Sequence, residues 1–130
     1  MVKIALDAMG GDHAPQHAVH GGIEAARISK GRYQVVLVGD QEAVEKEVAK
    51  HFHTQNLPLS IHHASQIVGM HEKPAVALKQ KTDSSVAVAM RLHHNRDVDA
   101  VVSAGNTGVV MAHALFGLKR VTGIRRPAIG

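Results

Sequence analysis

Two short turns in this chain carry residues suited to holding an anion. The first is DAVVSAGNTGVVM, residues 99–111, where an apolar run ends at Ser103, crosses Gly105, Asn106, Thr107 and Gly108, and becomes apolar again. Asn106 is placed to cap a helix with its side-chain oxygen. The N–H groups of the first turn, near Thr107, Gly108 and Val109, would then point outward at the positive end of the helix dipole, a setting that favours phosphate. Gly105 and Gly108 let a ligand approach the backbone closely, and Ser103 and Thr107 add hydroxyl donors. The same residues also make an ordinary capped strand-to-helix turn, and spacing alone leaves both readings open.

The second turn follows KIALD and runs Asp7-Ala8-Met9-Gly10-Gly11-Asp12. Asp7 at a strand end can accept hydrogen bonds from a substrate hydroxyl or amide, or from a neighbouring loop. Equally, Asp7 and Asp12 can stabilise the turn and cap the next helix. The glycine spacing is not GxGxxG, and no GxxxxGK[ST] phosphate loop occurs anywhere, so neither nucleotide fingerprint is present. A third candidate is Lys79-Gln80-Lys81-Thr82-Asp83-Ser84-Ser85. Lys81, Ser84 and Ser85 could hold a phosphate or phosphopantetheine group, or form a solvated basic turn before a helix capped by Asp83.

The 11 histidines raise the question of a metal. His13, His17 and His20 fall at i, i+4 and i+7, and three imidazoles can bind zinc. No carboxylate takes a matching position among them, and His13 lies before Pro15, so no metal is expected. His62 and His63 are neighbours in an expected strand and point to opposite faces.

These turns need a scaffold, and the hydrophobic pattern supplies one. Strands are expected at 2–7, 34–39, 59–64 and 99–104. Helices are expected at 15–29, entered at Pro15; at 41–52, with Val44, Val48 and Phe52 on one face; at 74–81, entered at Pro74; at 84–95, with Val86, Met90 and His93 or His94 on one side; and at 106–118. Strands alternating with helices predict a parallel sheet in an α/β fold, with ligands at the carboxyl ends of its strands. The end of the chain, VTGIRRPAIG, has the look of a turn leading into a further strand. It raises the expectation that 1–130 is the front part of a longer domain.

Composition narrows the class. Of 130 residues, 45% are hydrophobic but only 2% aromatic, so the core must be aliphatic. The net charge is +4, with basic residues spread along the chain and none interleaved with aromatics, which argues against nucleic-acid binding. Without cysteine there is no disulfide, thiolate metal site or cysteine nucleophile. The longest apolar stretch, 100–117, is broken by Ser103, Asn106, Thr107 and His113, and makes a poor membrane span. A cytoplasmic location is expected.

Taken in order, KIALDAMGGDHAP, LVGD at 37–40, the A-x-K-x-K-x-x-SS pattern ending at Ser85, SAGNTG at 103–108 and G-I-x-R-P-A at 123–128 resemble the front part of the PlsX family of bacterial phosphate acyltransferases. Lys79 stands where the family pattern often has arginine. The resemblance implies a three-layer α/β/α fold with a mainly parallel, Rossmann-like sheet, like that of phosphotransacetylases and isocitrate dehydrogenases, here truncated. It implies transfer of a long-chain acyl group from acyl carrier protein to inorganic phosphate, without metal or cofactor. It also implies a homodimer associated peripherally with the membrane, whose acyl phosphate feeds a membrane acyltransferase. On this resemblance Ser103, Asn106 and Thr107 are the candidate catalytic residues. Asp7, Gly10, Gly11, Asp12, Lys81, Ser84, Ser85, Gly105 and Gly108 are candidates for binding phosphate. The isolated 130 residues are expected to be inactive. The competing expectations are a phosphotransacetylase acting on short acyl-CoA and a non-catalytic module that binds phosphate or carrier protein.

Overall fold

A computed structural model describes residues 1–130. The elements run β1 (Val2–Asp7), α1 (Gln16–Ser29), β2 (Tyr33–Gly39), α2 (Gln41–Val48), β3 (Leu59–His63), α3 (Pro74–Gln80), α4 (Ser85–His94), β4 (Ala100–Val102) and α5 (Thr107–Gly117). The four strands form one parallel sheet in the order β3-β2-β1-β4. The expected Rossmann-like α/β layering is present. The chain builds outward from β1 through β2 to β3, then returns to lay β4 against the other side of β1. That reversal puts a topological switch point at the carboxyl ends of β1 and β4, where ligands of open α/β sheets bind.

Residue alternation in the strands explains the layers. Val35 and Leu37 of β2 pack with Val19, Ile23, Ala26 and Val44 on the α1–α2 face. Val36 and Val38 point the other way and pack with Ala5, Val88, Ala89 and Val98 under α4. A smaller cluster of Ala77, Val86 and Val109 joins α3, α4 and α5. Helix α1 lies close to the sheet at Gly22, where a Cβ would come within 2.8 Å of the Leu37 side chain. Beside α1, an apolar hollow of about 390 Å³ remains over the β1–β4 face, lined by Ile4, Leu6, Val35 and Val102 among others. No helix is long and apolar enough to cross a membrane.

Several boundaries differ from the sequence reading. Helix α2 stops at Val48; the chain turns through His53 at φ 57°, and Phe52 is 82% exposed rather than packed on the sheet. Helix α4 is capped by Ser84, whose Oγ accepts the Ala87 N–H, and not by Asp83. Asp83 instead accepts from the Ser65 N–H and hydroxyl, which hold its carboxyl below the usual carboxylate range. Leu92, rather than His93 or His94, carries the α4 face onto the core. Strand β4 has three residues, because Ser103 and Ala104 leave the ladder for the site. Residues 121–130 form no strand and are exposed.

Candidate functional site

The carboxylate of Asp7 is the centre of the switch point. It sits at the last position of β1 and is only 4% exposed. Its Oδ1 accepts the Ser85 hydroxyl at 2.5 Å and the Met9 N–H at 3.1 Å; its Oδ2 accepts the Ser103 hydroxyl at 2.8 Å. One side chain thus ties together the ends of β1 and β4 and the start of α4. An ionised carboxylate only accepts, so both serines spend their single proton on it. Ser103 Oγ also accepts the Gly105 N–H at 3.1 Å. Ser103 thus gives its proton to Asp7 in this structure, in place of the outward-facing donor that its position suggested.

The two glycine turns meet over this carboxylate. A Cβ on Gly10 would lie 2.7 Å from Asp7 Oδ2 and 2.9 Å from the Gly105 nitrogen. A Cβ on Gly105 would lie 3.1 Å from Ser103 Oγ. Gly11 needs its freedom for a different reason: its φ is 108°, which side-chain-bearing residues rarely adopt. Asp12, expected in the same mouth, is exposed and caps nothing.

Asn106 caps α5 as its position suggested, its Oδ1 accepting the Val109 N–H at 3.3 Å. Its other end was not foreseen. Nδ2 donates to the carbonyls of Gly69, at 3.2 Å, and Glu72, at 2.8 Å, so the amide fastens the 66–73 loop to α5. The N–H groups of Thr107 and Gly108 have no acceptor within the chain, and Thr107 is exposed. These are the free donors at the mouth. The space expected for a ligand beside Gly108 is taken by Pro74, whose Cγ lies 2.9 Å from where a Cβ would be.

The third candidate group divides. Ser85 belongs to the Asp7 cluster, and Ser84 is a buried helix cap. Lys81 is held by the Glu72 carboxylate and by the Ile67 carbonyl, the latter at 2.6 Å. That pairing holds the Glu72 carboxyl below the usual carboxylate range. A pocket of about 10 Å³, roughly one water in size, is enclosed by Asp7, Gly10, Ser85, Gly105, Asn106 and Val68 of the loop, among others. The 66–73 loop, with Glu72, is what the sequence reading missed. Its signal was the unassigned NH2 group of Asn106, which needed two acceptors.

No three His, Asp or Glu side chains are grouped so as to hold a metal. His13 and His17 stack with ring centroids 4.6 Å apart, but His20 pairs with His51 instead.

A family model described as "Fatty acid synthesis protein" matches residues 2–130. The chain belongs to this family. Similar members include proteins named "Phosphate acyltransferase" from Dictyoglomus turgidum, 49% identical, and from Geotalea daltonii and Geobacter sulfurreducens, each 48% identical. Each match covers 98% of this chain but only 36–37% of the relative, so the chain spans little more than a third of their length. Within this family segment, the two Gly turns and the Asp7 cluster occupy the one topological switch point.

Two tests follow from the geometry. Asn106→Asp keeps the capping oxygen but loses the NH2 donors, whereas Asn106→Ala loses both. The alanine variant is expected to cost about 1 kcal/mol more through the lost cap, read by urea unfolding. Both should raise amide exchange across 69–72; unchanged exchange there would sink the fastening role. The second concerns His113, 8% exposed on α5 with its Nε2 buried and unpartnered. Burial lowers its pKa from the ordinary 6.5. The unfolded chain then binds a proton first as pH falls, so stability should drop below about pH 6.5. His113→Leu should flatten that part of the stability profile.

Proposed function

We propose that the protein containing this chain transfers a long-chain acyl group from acyl carrier protein to inorganic phosphate, yielding an acyl phosphate for phospholipid synthesis. A phosphate oxygen forms the new bond to the thioester carbonyl carbon, the carbon–sulfur bond breaks, and the proton of hydrogen phosphate ends on the released thiol. The observation that carries this reading is the convergence of both Gly turns at the switch point, with the unpaired N–H groups of Thr107 and Gly108 beside them. Helix-start donors of this kind orient an anion. In this reading the backbone N–H groups of Thr107 and Gly108 contact phosphate, on the side of the turn away from Pro74, while Asp7, Ser85, Ser103, Gly10 and Gly105 shape the floor and Asn106 holds its rim. Phosphate is itself the nucleophile, so no nucleophilic side chain is required.

The reading extends to the whole protein: 1–130 as the first portion of a single α/β domain, working as a homodimer, docked peripherally at the membrane beside the enzyme that consumes the product. The positive net charge suits an acidic carrier protein.

The test is a chimera in which this chain replaces the matching segment of a full-length relative, assayed with palmitoyl-acyl carrier protein and phosphate. Acyl phosphate should form with carrier-protein substrate and not with the isolated 130 residues. Turnover with acetyl-CoA and none with carrier protein would instead favour a phosphotransacetylase. Phosphate binding without any turnover would favour a non-catalytic module.

A further inference from the structure

We infer that Glu72 is a positioning residue for this site, closing the 66–73 loop onto the first turn of α5 and holding Lys81 and Asn106 in place. The inference rests on the proposed acyl transfer for its activity readout, and on geometry for the rest.

Glu72 acts through two different groups. Its carboxylate Oε1 takes the Lys81 ammonium, which also binds the Ile67 carbonyl at the start of the same loop. Its backbone carbonyl takes the Asn106 NH2 at 2.8 Å, beside the 3.2 Å bond to Gly69. The second carboxylate oxygen, Oε2, is buried without a hydrogen-bond partner, although the side chain as a whole is 31% exposed. The loop is therefore fastened along its length, by Lys81 from one side and by Asn106 from the other.

What the fastening places is Val68. That side chain walls the small cavity shared with Asp7, Gly10, Ser85, Gly105 and Asn106, and packs against the Ala77–Val86–Val109 cluster. The loop thus forms one wall of the mouth whose floor is the Asp7 cluster. In this arrangement Lys81 is not a phosphate ligand. Its charge is used by Glu72, and its task is to keep the wall in register with the free N–H groups of Thr107 and Gly108.

A double-mutant cycle in the chimera separates the two roles of Lys81. Glu72→Gln and Lys81→Met should each lower kcat/KM for phosphate about tenfold, short of the roughly hundredfold loss that a 1 Å misplacement can cause. The double variant should be no worse than either single one, and Lys81→Arg should retain most activity. A Lys81→Met loss far beyond that of Glu72→Gln would overturn the inference, because it would mean that the ammonium touches the anion. Full activity in Glu72→Gln would overturn it as well. Hydrogen exchange of peptides covering 66–73 supplies a readout independent of turnover. It should quicken in both single variants while α4 stays protected, and unchanged exchange would reject the closure. Should the unmutated chimera be inactive, the acyl-transfer reading fails, while the exchange measurement still decides whether Glu72 closes the loop.

Discussion

Asp7→Ala is expected to be the most damaging single substitution in the chain, abolishing acyl transfer in the chimera and lowering stability by about 3 kcal/mol. The carboxylate is buried and takes three donors: the Ser85 hydroxyl, the Ser103 hydroxyl and the Met9 N–H. Alanine removes the acceptor and leaves those donors facing one another. An unmet buried donor costs more than a made hydrogen bond contributes, which is why the loss exceeds that for an exposed aspartate. Against a typical total of about 5–15 kcal/mol, this is a large share. Asp7→Asn provides the comparison. It keeps one carbonyl oxygen but presents an NH2 group to a serine, so one hydroxyl must turn its proton elsewhere. It should fold better than the alanine variant and still lose activity. Urea unfolding and the acyl phosphate assay give the two readouts. An Asp7→Ala protein with parental stability would mean that the cluster does not hold the switch point together.

The second large effect is expected at Gly10. A methyl group there would sit within 3 Å of both Asp7 Oδ2 and the Gly105 backbone nitrogen. Neither atom can yield easily: one is fixed by a serine hydroxyl, and the other is main chain. Gly10→Ala should therefore cost about 1–3 kcal/mol through overpacking and push the two Gly turns apart, with activity lost out of proportion to stability. Gly21→Ala is the control. Gly21 lies inside α1 with open space around it, so alanine there should raise stability by about 0.5–1 kcal/mol. If both substitutions behave alike, the close approach at Gly10 is not what the turn depends on.

The contrast between these positions marks what a sequence can convey. Local rules worked where the cause is local. Pro74 begins α3, Asn106 caps α5, and the continuous apolar run QVVLVG is a strand buried on both faces. They failed where the cause lies far along the chain. Phe52 has the right spacing for the α2 face, but α2 ends at Val48, before it. Asp83 looks like a helix cap, yet it is taken by Ser65 on another strand's exit. Ser103 and Ser85 carry hydroxyls of the type a phosphate wants, but their protons go to Asp7, 96 and 78 positions away. Residue type announces a capacity to hydrogen-bond; only the tertiary neighbours decide its direction. For the same reason the cap position of Asn106 gave no hint that its NH2 group fastens the 66–73 loop.

Those separations of 78 and 96 residues also make the floor depend on distant parts of the chain being brought together, at an entropic cost. Asp7 can meet Ser103 only once β4, three residues long, has docked beside β1. The floor of the mouth is thus a latch on the short strand β4. A brief detachment of β4 would erase the site while leaving β1, β2 and β3 paired, and an anion that binds the closed mouth would in turn hold the strand in place.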